Sequence, residues 1–272
     1  MRRAAAISKE TGLGDRFFLD GYNLSGDVGA LQSIGMTRAL IDVTGIDKDA
    51  HERLPGLGDS EITWNAWFNP TAGQSHPQMK DIPDDRHVMY WRGSTAGVPV
   101  AAMVGTQATY DVQRGADGAL ATTAQVMNKS GDMLDWGKAL TDGPESVTGT
   151  GNLAGVDLGT GAGEVNAYLQ VISFVGTNIT FTLQHSLDDD AADAYAAITG
   201  GAFTQVTAAP AKERIEIDGP VERYVRVAIT GTFTSCTFVI GARRLGTDGP
   251  AEVRPATLAL VLTTFAPTVT VA

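Results

Sequence analysis

Apolar side chains return at every second position in many separate stretches of this 272-residue chain. No other feature constrains its fold as tightly. A strand turns successive side chains to opposite faces, whereas a helix brings them back only every three to four residues. The stretch 60–68 shows the pattern most cleanly. Ile62, Trp64, Ala66 and Phe68 fall on one side, with Glu61, Thr63, Asn65 and Trp67 on the other. Similar alternation runs through 37–43, 86–92, 98–112 and 119–127. Arg114-Gly115-Ala116-Asp117-Gly118 between the last two predicts a hairpin with long arms.

Further along, Val165, Ala167, Leu169, Val171 and Val175 alternate. Gly176-Thr177-Asn178 then reads as a turn into Ile179, Phe181 and Leu183. The stretches 221–229 and 233–240 read as another hairpin across Thr230-Gly231-Thr232. Helix signals are few. Ser75-His76-Pro77, followed by Met79 and Ile82 and stopped by Pro83, predicts one short helix. The Ala-rich piece 190–198 predicts a helical excursion.

The length suits two domains of ordinary size. The pattern breaks between Met133 and Glu145. The expectation is therefore all-β with one short helix: a first domain over 1–135 with a polar N-terminal arm at 1–15, and a β-sandwich of jelly-roll or immunoglobulin-like pattern over 136–245. Residues 246–272 form a tail or extra strand, with Leu258, Leu260 and Leu262 on one parity. The polar connection Thr44 to Asp59 is long for a compact domain and marks a functional or disordered loop.

Charge narrows the function classes. Acidic residues number 31 against 20 Lys and Arg, a formal net charge of −11, and both halves are acidic. A protein that grips nucleic acid needs a basic footprint to neutralise phosphates, and this chain has none overall. Cys236 is the one cysteine, so no internal disulfide and no cysteine-based zinc cluster can form. Lys9, Glu10, Asp15 and Arg16 arrive too soon for a signal peptide, and no run of about 18 apolar residues is present. These features predict a soluble protein made in a cytoplasm, without membrane insertion.

Candidate chemistry is sparse. Asp188-Asp189-Asp190 with Asp193 has carboxylates for calcium but lacks the glycine and glutamate of an EF-hand loop, and reads as a solvated turn with a helix N-cap. Gly159-Thr160-Gly161-Ala162-Gly163 resembles a phosphate loop, but a strand follows where a helix is needed. His51, His76, His87 and His185 show no metal-ligand spacing. Cys236 lies in a predicted strand and reads as an inert, semi-buried thiol. Of the tryptophans, Trp67 has polar parity and is a candidate to face a partner. No active site and no cofactor are expected. A carbohydrate- or cell-surface-binding module is the alternative, with Tyr168 and Tyr195 as aromatic platforms for sugars.

Several ordered segments add a family resemblance. They are FFLDGYNLSGDVGAL from Phe17 to Leu31, ALIDVTGIDKDAHERLPGL from Ala39 to Leu57, SHPQ from Ser75 and YDVQRGADGAL from Tyr110 to Leu120. In this order and spacing the chain resembles the major tail proteins of long-tailed phages, especially those of actinobacterial hosts, over roughly 1–135. The second domain is similar to the extra β-sandwich many of them carry. The resemblance implies a structural virion protein whose tail-tube domain packs two β-sheets with a helix at one side. It implies six subunits closing into a barrel-like ring, and rings stacking into a tube that delivers the genome. It further implies assembly in the host cytoplasm, a place in the virion tail, and tape-measure and tail-tip or terminator proteins as partners. DNA would pass through unheld. Asp27, Asp42 and Glu61 are the candidate channel-lining acids. Asp47, Asp49, His51, Glu52 and Arg53 belong to the candidate loop that reaches an adjacent ring.

Overall fold

A computed structural model describes residues 12–129 and 131–246. The N-terminal arm lies largely, and the C-terminal tail almost wholly, outside the described residues. Among the described residues the regular structure is almost entirely strand. In the front half the strands are β1 (Arg16–Leu19), β2 (Tyr22–Asn23), β3 (Val28–Asp42), β4 (Arg53–Trp67), β5 (Arg86–Trp91), β6 (Pro99–Arg114) and β7 (Leu120–Asn128). The short helix α1 (Ser75–Met79) lies between β4 and β5. In the rear half they are β8 (Asp135–Ala139), β9 (Glu145–Val147), β10 (Gly151–Asn152), β11 (Val156–Asp157), β12 (Gly163–Ser186), β13 (Ala196–Ala202), β14 (Ala211–Val221) and β15 (Tyr224–Arg244).

The front half forms two layers that share β6. Residues 100–105 of β6 pair with β5, and 105–114 pair with β7. One layer is therefore β2-β1-β5-β6, and the other is β6-β7-β4-β3. The crossing needs Gly105. A Cβ there would sit 2.2 Å from the Met127 carbonyl oxygen and 2.7 Å from Val126 Cγ1. Alternation read from the sequence is realised directly: Ile62, Trp64 and Ala66 are buried while Glu61, Thr63 and Asn65 are not. The buried set packs on Phe17, Leu19, Val88, Met103, Val126 and the helix residue Met79. The Phe17 and Trp64 rings lie 4.8 Å apart. The hairpin β6–β7 closes as expected, with Gly118 at φ 88 in its turn.

The rear half corrects the sequence reading. Gly176-Thr177-Asn178 and Thr230-Gly231-Thr232 are not turns. Both lie inside continuous strands that pair along their whole length, from Val165↔Arg244 to Ser186↔Tyr224. The two glycine-bearing stretches face each other, Asn178↔Thr232 and Ile179↔Gly231, at register shifts in the ladder. Bulges of this kind bend strands and increase twist. The ladder folds back on itself there. Phe181 registers with Ile229 and Phe238 with Val171, yet the two phenyl rings are 4.4 Å apart. The strand from Ile229 to Phe238 would span roughly 30 Å if straight, so only a fold-over brings the rings together. A sandwich results: β14 and β13 pair with opposite ends of β12, and β9 and β10 pair with β15 on either side of its bend. Its core holds Val165, Leu169, Phe181, Val227, Cys236 and Phe238.

The helix expected over 190–198 is also absent. Asp188 instead closes a turn, accepting from the backbone N–H of Ala191, Ala192 and Asp193, and β13 begins at Ala196. Asp189 and Asp190 sit at φ 62 and 70, which interrupts any helix.

Strand β8 joins the halves, pairing with β6 on one side and β15 on the other. Phe18, Met89, Trp91, Val100, Tyr168 and Val239 form a third apolar cluster at this seam. Buried polar groups fix its geometry. Gln170, fully buried, accepts from the Gly21 N–H at 2.8 Å and donates to the His87 carbonyl at 2.9 Å. Asp135 accepts from Tyr168 Oη at 2.6 Å and from Asn166 Nδ2 at 2.8 Å. Asp20 receives Arg86 at 2.6 Å and Lys212 at 2.8 Å.

Candidate functional site

Two surfaces of the front half stand out, and both belong to the layer β3-β4-β7-β6. The first is the water-facing side of that sheet. On it Glu61, Thr63 and Asn65 of β4 register with Met127, Gln125 and Thr123 of β7, and these with Thr106, Thr109 and Asp111 of β6. Cross-strand hydrogen bonds tie the face together. Glu61 accepts from Ser33 Oγ at 3.0 Å and from Gln125 Nε2 at 2.5 Å, and Thr123 Oγ1 donates to Asn65 Oδ1 at 2.8 Å. The strand segments 28–37, 59–67, 105–113 and 120–128 contain no lysine and no arginine. Their charges are Asp59, Glu61 and Asp111, all acidic.

The edges of the sheet matter equally. Among the described residues, β3 pairs only with β4, and no strand pairs with residues 108–114 of β6 on the side away from β7. The layer therefore ends in an unpaired strand at each side. Such edges are templates for strand pairing with another chain.

The second surface is a ribbon. Ser60 is the last buried residue of β4 towards its start. Beyond it β3 and β4 continue as a two-stranded projection of roughly 20 Å. Met36, Leu40, Ile41, Val43, Leu54 and Leu57 are all exposed on it, Leu57 at 90%. An isolated hairpin gains little from its own pairing, so an apolar one in water points to a partner. The connection at its tip is shorter than the sequence suggested, spanning 43–52, because β4 already starts at Arg53. It is internally braced. Thr44 Oγ1 accepts the Glu52 N–H at 2.9 Å, the Val43 N–H donates to the Glu52 carbonyl at 2.9 Å, and His51 Nδ1 lies 2.9 Å from Asp42. Hydrogen bonds from Thr44 hold the Asp42 carboxyl below its ordinary value.

The expected site residues are distributed accordingly. Glu61 lies on the polar face, at the β4–β7 pair nearest the ribbon. Asp42 lies at the far end of the ribbon, opposite Arg53. Asp47, Asp49, His51 and Glu52 are exposed at the tip. Asp27 has a different position. It is buried, and its carboxylate accepts from the Ser75 N–H at 2.9 Å and from Asn69 Nδ2 at 3.0 Å, fixing the start of α1. A carboxylate consumed by internal bonds has no surface to offer a channel. Sequence reasoning missed Asp59 and Asp111. The signal that finds them is the absence of basic residues from all four strand segments.

The remaining candidates are structural. Tyr168 is buried at the seam, so it offers no sugar platform. The ring of Tyr195 is covered by the Arg226 guanidinium, 4.0 Å from its centroid, and its hydroxyl donates to Asp189 at 2.6 Å. Burial pushes the Cys236 thiol up to about 12. Among the described residues no group of three or more His, Cys, Asp or Glu is placed to hold a metal ion. A cleft of about 470 Å³ between the halves is lined by Asp85, His87, Lys129, Asp132, Lys212 and Arg214 among others. Its charges neutralise each other, Lys212 with Asp85 at 3.6 Å and Arg214 with Asp132 at 2.9 Å. Burial, then Lys212, pushes His87 down to about 4.

No protein-family model matches the chain, and no curated protein does. Similar solved structures exist. A chain of the virion of a native gene transfer agent particle is 13% identical, with a TM-score of 0.37, over 47% of this chain and 98% of that one. A chain from the tail of an empty gene transfer agent particle with C6 symmetry is 11% identical, with a TM-score of 0.34, over 47% and 98%. The SPP1 Dit protein, described as a paradigm of the hub adsorption apparatus in phages infecting Gram-positive bacteria, is 11% identical. Its TM-score is 0.31, over 85% of this chain and 99% of that one.

Proposed function

We propose that this chain is a structural virion protein without catalytic activity, the repeating subunit of a phage tail tube. The observation that carries this reading is the layer β3-β4-β7-β6: four long strands whose outer borders, β3 and 108–114 of β6, are unpaired among the described residues, and whose polar face over 28–37, 59–67, 105–113 and 120–128 carries acids and no bases. Edge-to-edge pairing of β3 in one copy with 108–114 of β6 in the next would satisfy both borders. A heterologous contact of this kind closes into a ring when the rotation allows. Six copies per ring, and stacked rings, follow from the family resemblance. The acidic face would then line the bore. Double-stranded DNA carries one negative charge per roughly 1.7 Å of its axis, so such a lining repels phosphates and lets the genome slide without sticking. The tape-measure and terminator partners and a location in the virion tail belong to the same reading.

Negative-stain microscopy of the concentrated protein tests it. Hollow rings or tubes are the expected result. A population that stays monomeric at every concentration, and also when supplied with preformed tail-tip complexes, overturns it.

A further inference from the structure

The four-stranded layer has two ends as well as two edges, and both ends are apolar. At one end the ribbon exposes Leu54 and Leu57. At the opposite end, where β4 finishes and the β6–β7 hairpin turns, Trp67, Val112 and Leu120 are exposed. Most of the chain's exposed large apolar side chains in the described residues lie at these two ends. The second end is where the core face runs out of cover. Thr122 and Ala66 are buried in one register row with Val112, which is itself 45% exposed. Charge follows the same polarity. The ribbon tip from Asp42 to Arg53 has four acids against two bases, while Arg114 beside Leu120 forms no ion pair among the described residues.

We infer that the ribbon of one copy seats on the Trp67–Val112–Leu120 end of a second copy, with Arg114 facing the acidic tip. The contact repeats along the strand direction, because each copy carries both halves of it at opposite ends of one sheet. A heterologous contact that does not close propagates as a filament. This inference rests on the tube reading but adds to it: it names the surface that receives the ribbon and makes the acid-rich tip the polar partner of Arg114. Contact between an acidic loop and an exposed arginine weakens as salt rises, so the inter-ring contact is the salt-sensitive one, whereas strand pairing within a ring is not.

Cysteine cross-linking between full-length chains tests it. Cys236 is buried with its thiol held protonated, so it gives little background. Leu54→Cys and Leu120→Cys are made in separate chains, both at exposed positions, and mixed before assembly. The expected result is an oxidised heterodimer as the major cross-linked species in the mixture, absent from either variant alone. A third variant, Val175→Cys, places a cysteine at an exposed position of the rear half. Rings or tubes that form without the Leu54–Leu120 cross-link, or in which Leu54→Cys couples to Val175→Cys instead, overturn this inference and leave the tube reading standing. Absence of any assembly by electron microscopy, also when preformed tail-tip complexes are supplied, overturns both. A second measurement is independent of oxidation: Arg114→Glu should leave single rings intact and lose the long tubes, and unchanged tube length would contradict the proposed partner surface.

Discussion

At the scale of single residues, glycine and histidine carry the sharpest consequences. Gly105 lets β6 pass from one layer to the other, because a Cβ added there would lie 2.2 Å from the Met127 carbonyl oxygen. Overpacking a filled interior typically costs about 1–3 kcal/mol, and here backbone must move. Gly105→Val should therefore lower stability by about 3 kcal/mol in urea unfolding, and a loss below about 0.5 kcal/mol would show that β6 crosses elsewhere. His87 sets a pH dependence. Its ring is buried beside Lys212, Arg214, Asp85 and Asp20, and its proton is lost at about 4 when folded, against an ordinary value of 6.5. The unfolded chain binds that proton first as pH falls, so stability declines from pH 6.5 down to about 4 and then levels off for this group. The full effect is about 3 kcal/mol, with about half of it between pH 6.5 and 5, where carboxylates contribute little. His87→Gln should flatten that interval of the stability profile, and an unchanged slope would contradict the assignment.

At the scale of elements, the strand alternation that the sequence displays is what the protein uses. The parity of Ile62, Trp64 and Ala66 is the parity of the core. What the sequence conceals is pairing at a distance. Gly176-Thr177-Asn178 has the composition of a hairpin turn, and so does Thr230-Gly231-Thr232. Each becomes a bend because the other lies directly across the ladder, and composition alone cannot distinguish a chain that reverses from one that bends. The same limit applies to the acidic face. Glu61 was legible from its strand, but Asp111 joins it only through β7, which is inserted between β4 and β6. Asp27 went the other way, because its bonds to Asn69 and Ser75 depend on a loop closure that no local pattern announces. The ribbon tip is separable from the core. Replacing Gly45–Ala50 with Asn-Gly, a two-residue turn suited to hairpins, should leave the midpoint of thermal unfolding within about 2 °C and abolish assembly beyond single rings. Unimpaired tube growth would show that the ribbon is not the stacking element.

At the scale of the whole molecule, β8 and the seam of Gln170, Asp20 and Asp135 tie the rear sandwich to the front layers. The rear half is thus joined to the front one, and among the described residues the front layer keeps its edges unpaired. Reversing charge on that face, with Glu61→Lys and Asp111→Lys together, should leave the fold intact and produce assemblies that retain linear DNA in a filter-binding assay at low salt. Equal retention by the parent protein would remove the electrostatic argument. The most direct test is a reconstruction of the assembled protein by electron cryo-microscopy. The account predicts β3 of one copy hydrogen-bonded to 108–114 of β6 in its neighbour, with Glu61 and Asp111 turned towards a central hole. Copies joined through the rear sandwich, with both of those strand edges left unpaired or the acidic face turned outward, would contradict it.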